Sequence, residues 1–161
     1  MQVSTLLEQI PESISLILEP TLTQGALYLG NLTSLYKAAQ KNQIKVAVSI
    51  CDQIDTKDIE LEQHLCIDLT DKEDSDIQKY FNQTNMFIQE NLNKGNVLVH
   101  CFVGISRSAT IVIAYIMWSQ RITFQQAFLL VTSKRSQVYP NKGFRQQLIK
   151  YQQELQQIQR Q

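Results

Sequence analysis

The stretch Val97-Leu98-Val99-His100-Cys101-Phe102-Val103-Gly104-Ile105-Ser106-Arg107-Ser108 limits the fold more than any other part of the chain. An apolar run ends in His-Cys, Arg107 follows after five more residues, and an apolar helical stretch begins at once. That order predicts strand, tight loop, helix. A cysteine at the strand end sits at the mouth of a loop whose backbone N–H groups converge, and the helix N-terminus adds its positive dipole end. Such a nest binds an anion and holds a thiolate in place of a thiol. Arg107 adds a planar fork of donors that matches two phosphate oxygens. The competing reading is a buried structural cysteine in a strand–helix turn. A core turn, however, has no need of an arginine at its end.

Composition bounds the rest. A chain of 161 residues, 43% of them hydrophobic, is expected to form a single domain over 1–161 with one full core. Fifteen Lys plus Arg balance fifteen Asp plus Glu, so no net field favours nucleic acid or an anionic membrane. Three cysteines without paired spacing and two histidines argue against a disulfide framework and against a metal centre, so no metal and no cofactor is expected. The start Met1-Gln2-Val3 carries no targeting signal, the C-terminal end is no lipidation box, and no apolar run approaches a membrane span. A thiolate enzyme needs a reducing compartment. The expected location is the cytoplasm, with the nucleus left open. The glutamine-rich tail reads as a solvated face.

Along the chain, Pro11 breaks a short helical start, and Ile14 to Leu18 alternates weakly before turns at Pro20 and Gly25. Ala26 to Asn31 reads as a strand stopped by Gly30-Asn31. Leu32 to Gln43 reads as a helix with Leu32, Leu35, Tyr36 and Ala39 on one face. Lys45 to Ile50 is a β-rich buried run, with Cys51 as a small hydrophobe at its end. Gln53 to Glu62 is expected as a surface loop with a short helical piece. His64 to Leu69 alternates with period two, placing Leu65, Ile67 and Leu69 on one side, Cys66 and Asp68 on the other, and His64 at the solvent edge. After an acidic loop, Ser75 to Asn93 is expected as one long amphipathic helix, opened by a Ser75–Gln78 capping box and stopped near Gly95. Ile111 to Trp118 is nearly all apolar and predicts a helix buried on most sides. Thr123 caps a helix over Phe124 to Lys134, and Lys142 to about Ile158 forms the last helix, with Phe144, Leu148, Tyr151 and Leu155 in one stripe. Four to five strands bounded by helices predict an α/β fold: a central, mostly parallel sheet with helices on both faces. The Cys101 loop then lies at the carboxyl end of a strand, where open α/β sheets place ligands.

The pattern His100-Cys101, five residues, Arg107, Ser108 resembles the signature of the cysteine-dependent protein tyrosine phosphatases. Gly104, the run Ser106-Arg107-Ser108 and the following Ala114-Tyr115-Ile116-Met117 are closer to the dual-specificity branch, in its small, atypical single-domain form. The early Leu27-Tyr28-Leu29-Gly30 and the closing Tyr139-Pro140-Asn141-Lys142-Gly143-Phe144 resemble further segments of that branch, so the likeness runs from about residue 26 to residue 155. It implies hydrolysis of phosphotyrosine and phosphoserine or phosphothreonine in phosphoproteins through a cysteinyl-phosphate. Cys101 is then the nucleophile, and Phe102, Val103, Gly104, Ile105 and Ser106 form the substrate cradle. Arg107 stabilises the equatorial oxygens of the transferring group. By the same resemblance Ser108 helps the thiolate leave, with helix capping as its alternative role; His100 orients the cysteine loop; and Asn141 braces it or forms an Asx-turn before the last helix.

The leaving oxygen needs a proton, which a carboxylic acid on a loop beside the site can supply. Asp74 and Asp76 flank the Ser75 cap, where the helix dipole accounts for them. Asp71 has no such explanation and matches the acid position of the resembled family; Asp68 is the alternative. Two other function classes remain open at this point. A binding module without turnover usually lacks the cysteine or arginine, and both are here. Phosphoinositide and RNA 5′-triphosphate phosphatases tend to carry lysines in the loop, and Phe102 to Ser106 has no cation. No aromatic insert deepens the pocket, so a shallow site accepting both residue types is expected. Oligomeric state is not legible.

Overall fold

The continuous apolar runs around residues 44–50 and 96–100 can only be satisfied by strands buried on both faces. The computed structural model describes residues 9–52 and 59–158, and there they form the two central strands. The sheet comprises β1 (Ile14–Leu18), β2 (Leu27–Gly30), β3 (Ile44–Ile50), β4 (Gln63–Ile67) and β5 (Asn96–His100) in the order β1-β2-β5-β3-β4. β2, β5, β3 and β4 run parallel, and β1 joins the edge antiparallel to β2. The weakly alternating segment Ile14–Leu18 is therefore the fifth strand. The helical start expected before Pro11 and most of the loop expected over 53–62 lie outside the described residues.

Among the described residues the sheet is accompanied by five α-helices: α1 (Leu32–Lys41), α2 (Phe81–Leu92), α3 (Arg107–Gln120), α4 (Phe124–Lys134) and α5 (Lys142–Ile158). The two-residue period of the strands divides the core. Val46, Val48, Ile50, Val97 and Val99 face α2 to α5, whereas Ala47 and Leu98 face α1 through Leu35 and Ala39. Helices thus lie on both faces, four on one and one on the other. α3 is buried from Ser108 through Met117, because it is enclosed by the sheet and by its neighbouring helices. Asn31 ends β2 and caps α1, its Oδ1 accepting from the Ser34 N–H at 3.1 Å. At the start of α4, Thr123 and Gln126 form the complete reciprocal capping box.

One expected element is different. Residues 75–93 do not form one helix: a 3₁₀ turn, Gln78–Tyr80, precedes α2 at Phe81. Ser75 Oγ bonds Thr70 Oγ1 at 3.0 Å and Gln78 Nε2 donates to Glu154 at 2.9 Å, so the Ser75–Gln78 capping box does not form. Gln147 of α5 replaces it. Its Oε1 accepts from the N–H groups of Ile77 and Gln78 at 3.0 and 2.9 Å, and its Nε2 donates to the Ser75 carbonyl at 2.9 Å. A side chain 70 residues away in sequence thus does what the local pattern was expected to do. At the far end of α2, the N–H groups of Lys94 and Gly95 both return to the Asn91 carbonyl, which stops the helix close to the expected glycine.

Replacing Gln147 by Ala leaves two partly buried N–H groups and one carbonyl without these partners. The expected loss is about 1–2 kcal/mol, measured as a lower urea midpoint with an unchanged slope.

Candidate active site

The sheet delivers Cys101 directly. β5 lies between β2 and β3, and Cys101 follows its last residue with only 2% of its surface exposed. The sulfur accepts from the Gly104 N–H at 3.2 Å and from the Ser108 hydroxyl at 3.1 Å. The loop is inverted by its surroundings: four successive carbonyls are held from outside. Phe102 O accepts from the Leu32 N–H at 3.2 Å and Ile105 O from the Tyr139 N–H at 3.0 Å. Gly104 O and Val103 O accept from Arg135 at 2.9 and 3.5 Å. With the carbonyls turned out, the Gly104 N–H is left to face the sulfur. Gly104 makes the turn at a φ of +75°, where a Cβ would also stand 2.5 Å from the Gly30 carbonyl.

Arg107 begins α3. Its Nη1 donates to the Leu69 carbonyl at 2.9 Å and to Asp52 at 3.2 Å, while its buried Nε has no partner among the described residues. One part of the guanidinium is anchored, and a donor remains for an anion. Asp71 sits across the same cleft. Its Oδ1 accepts from Ser106 Oγ at 2.7 Å and from Asn141 Nδ2 at 2.8 Å. Asn141 also gives its N–H to Ser106 Oγ at 3.0 Å, and its Oδ1 accepts from the Phe144 N–H at 2.9 Å. Both readings of Asn141 therefore describe contacts it makes: it ties the acidic loop to the cysteine loop, and it caps α5. Asp68 is exposed and does not line the cleft. The cleft measures about 510 Å³ and is lined by Asp71, Ser106, Arg107, Tyr139, Asn141 and Arg145 among others. Phe102 and Val103, 39% and 53% exposed, stand at the outer side of the loop.

A polar row runs under the loop, on the α1 face of the sheet. Register pairs His64 with Ala47 and Ser49 with both Cys66 and His100. Ser49 Oγ lies 2.5 Å from His100 Nε2 and 2.6 Å from His64 Nε2. His100 Nδ1 faces the Cys101 carbonyl at 3.4 Å. The assignment that satisfies every group places a proton on His100 Nδ1, directs the Ser49 hydroxyl to His100 Nε2, and has His64 Nε2–H donate to Ser49. Burial pushes the His100 pKa down to about 3, opposed by the Cys101 carbonyl and aided by His64, so the ring is neutral. Burial also lowers the His64 pKa. His64 lies on the edge strand β4, as expected, but its ring turns to Ser49. It is half-buried and ends the row, because β3 places a serine beside it. Cys51 is a buried thiol as expected, its pKa raised by burial to about 12.

Two residues escaped the sequence reading. Arg135 is only 2% exposed and also donates to Ser15 Oγ at 3.2 Å. Ser49 looked like one more residue of a buried strand. Spacing offers no signal for either, since their partners come from other elements. Among the described residues, no group of three or more His, Cys, Asp and Glu side chains converges as a metal site. Nor is any described helix long and apolar enough to cross a membrane.

A sulfur held by loop donors, with a free arginine donor and a carboxylate across the cleft, is the equipment for phosphoryl transfer through a thiolate. Residues 27–154 match the dual specificity phosphatase catalytic domain, and the chain belongs to that family. It is 40% identical over 151 residues to the MAP kinase phosphatase with leucine-rich repeats protein 3 of Dictyostelium discoideum, covering 94% of this chain and 17% of that one. It is 37% identical over 135 residues to dual specificity protein phosphatase 1 of Arabidopsis thaliana, covering 80% of this chain and 67% of that one. Among solved structures, the human tyrosine phosphatase-like serine/threonine/tyrosine-interacting protein superposes with a TM-score of 0.76 at 31% identity, covering 92% of this chain and 98% of that one. The chain spans between 12% and 32% of the Dictyostelium relatives it matches.

The neutral His100 makes stability depend on pH. Its folded pKa of about 3 lies below the ordinary 6.5, so below pH 6.5 the unfolded chain takes up a proton that the folded chain refuses. Stability is full above that value and falls with pH toward 3. Between pH 6.5 and 5 the loss from this group is about 2 kcal/mol. Urea unfolding at pH 7 and pH 5 is expected to show a smaller drop in His100→Asn than in the parent.

Proposed function

We propose that this domain hydrolyses phosphotyrosine and phosphoserine or phosphothreonine monoesters in protein substrates through a cysteinyl-phosphate. The observation that carries this reading is the Cys101 sulfur, which accepts from Gly104 N–H and Ser108 Oγ beside an unpartnered Arg107 Nε. In the first step the thiolate attacks phosphorus and the bond to the leaving oxygen breaks. Asp71 gives that oxygen its proton. Arg107 and the loop N–H groups hold the equatorial oxygens. In the second step water attacks the phosphocysteine, Asp71 takes a proton from it, and the S–P bond breaks. The Ser108 hydroxyl steadies the departing thiolate. Ser106 and Asn141 keep Asp71 at the cleft. His100, neutral and doubly bonded, fixes the strand end from which the sulfur projects.

The open cleft and the exposed positions of Phe102 and Val103 favour acceptance of both long and short phosphorylated side chains. Aryl phosphates are expected to react faster, since a phenoxide leaves more readily than an alkoxide. The work fits signalling phosphoproteins in the reducing cytoplasm, where the thiol stays reduced. A binding module without turnover is less well supported, because Arg107 and the Asp71 carboxylate line one cleft and Cys101 stands on the loop that borders it.

Cys101→Ser is expected to fold, bind phosphopeptide and lose nearly all turnover of aryl phosphate; near-parental turnover would overturn the assignment. Arg107→Lys should fail as well, because an ammonium cannot reproduce the planar fork. On a substrate with a poor leaving group, Asp71→Asn should lower kcat by roughly 10²–10⁴ and flatten the alkaline side of the pH–rate profile. A very good leaving group should be affected less. If Asp68→Asn behaves so and Asp71→Asn does not, the roles are exchanged. Hydrolysis of phosphotyrosine peptides with none of matched phosphothreonine peptides would remove the dual specificity.

A further inference from the structure

The segment leading into the edge strand β1 is tied to the turn between β2 and α1. Asn31 Oδ1 accepts from the Ser13 N–H at 3.2 Å, Asn31 Nδ2 donates to the Pro11 carbonyl at 2.9 Å, and the Asn31 N–H donates to the Ser13 carbonyl at 3.0 Å. Thr33 Oγ1 donates to the Ile10 carbonyl at 3.1 Å. Asn31 and Thr33 are both buried. The same turn reaches the cysteine loop, because Leu32, next to Asn31, gives its N–H to the Phe102 carbonyl. Gly30 lies between the two. A Cβ on it would stand 3.2 Å from the Ser13 carbonyl, and a Cβ on Gly104 would stand 2.5 Å from the Gly30 carbonyl. Backbone therefore meets backbone from the segment, through the end of β2, to the loop. A second path starts from the serines of the segment. Ser15 Oγ accepts from Arg135 Nη1 and Ser13 Oγ from Gln137 Nε2, both at 3.2 Å. The rest of the Arg135 guanidinium bonds the Gly104 and Val103 carbonyls. Among the described residues no carboxylate lies within ion-pair distance of Arg135. A buried cation without a carboxylate is costly, so stability alone does not favour it there. A loop that must hold an anion does.

We infer that residues 10–15 form a strap that sets the shape of the cysteine loop, with Ser15 and Asn31 as positioning residues for its anion cradle. Ser15 acts through Arg135 on the Val103 and Gly104 carbonyls. Asn31 acts through the orientation of its own turn, whose next N–H holds the Phe102 carbonyl. Neither residue touches the substrate. The inference rests on the phosphatase reading and deepens it: an edge of the sheet outside the cleft controls how well the loop meets a phosphoryl group. A site whose supporting hydrogen bonds are loosened loses its geometry before the domain loses its fold.

The test reads tungstate binding by calorimetry, nitrophenyl phosphate turnover, the urea midpoint, and the pH dependence of the iodoacetamide inactivation that phosphate prevents. Ser15→Ala removes one hydrogen bond to a buried cation, so tungstate affinity is expected to fall about tenfold. kcat/KM should fall in parallel, and the inflection of the inactivation profile should move to higher pH. Ser15→Thr keeps the acceptor and should restore all three. Asn31→Ser keeps a capping hydroxyl for α1 but not the donor to Pro11. It is expected to lose tungstate affinity with little change in the urea midpoint. Leu155→Ala is the control, since Leu155 packs beside Met117 and Arg121 at the far end of α3. It should lower the urea midpoint at least as much as Ser15→Ala and leave tungstate affinity within about twofold of the parent. Unchanged affinity in either Ser15→Ala or Asn31→Ser overturns the strap. So does a loss that Ser15→Thr fails to restore, or one that Leu155→Ala reproduces. Failure of the parent chain to hydrolyse nitrophenyl phosphate overturns the phosphatase reading, while the tungstate affinities still decide the strap.

Discussion

The arrangement on which the site depends is the outward tethering of the cysteine loop. A short loop left to itself solvates its carbonyls and N–H groups alike. Here Leu32, Arg135 and Tyr139 take the carbonyls of four successive residues, Phe102 to Ile105. Three different parts of the chain are recruited: the start of α1, the end of α4 and the segment leading into α5. On the inner side of the loop the Gly104 N–H is then turned to the sulfur. An anion, the thiolate first and a phosphoryl group later, is the partner such a concavity accepts. The fold can be read as scaffolding for that inversion, since α1, α4 and α5 must all be in place before the loop holds its shape.

Charge is distributed to the same end. The groups under the loop are neutral: His100 and His64 are disfavoured from protonation by burial, and Ser49 joins them without charge. The neutral row fixes geometry. Positive charge comes from Arg107, whose anchored Nη1 gives it direction, and from Arg135 behind the loop. Burial disfavours the charge of Arg135, but the loop carbonyls it holds are acceptors that suit a cation.

What was legible in the sequence followed from how local its cause is. The buried strands β3 and β5 showed as unbroken apolar runs. α3 showed because Ile111 to Trp118 is apolar on nearly every side, and α4 because Thr123 is a capping residue directly before it. The neighbourhood of Cys101 was legible through a local signature: Cys101, Gly104, Arg107 and Ser108 lie on one loop and one helix start, and the resemblance they carry singled them out. What escaped was decided by partners far apart in sequence. Arg135 and Gly104 are 31 residues apart, Ser49 and His100 are 51 apart, and Gln147 caps a turn 69 residues away. The Ser75–Gln78 box fails for the same reason. Its residues match the pattern, but Thr70, Glu154 and Gln147 offer better-placed partners. Local rules predict what a segment does alone, and here α5 prevents it from being alone.

α5 has a wider role than its apolar stripe announces. Phe144, Leu148 and Tyr151 bury it against the core. Its first residues then hold the whole acidic segment in place. Asn141 binds Asp71, Gln147 binds Ser75, Ile77 and Gln78, and Gly143 lies so near the Glu73 backbone that a Cβ there would overlap its carbonyl. The segment from Asp71 to Gln78 therefore rests on α5 more than on its own hydrogen bonds. The same first turn carries Lys142 and Arg145. One helix end thereby positions the Asp71 carboxylate and lines the far side of the same cleft. A shift of α5 would carry the segment from Asp71 to Gln78 with it, so the position of Asp71 is set by the last helix rather than by the cysteine loop.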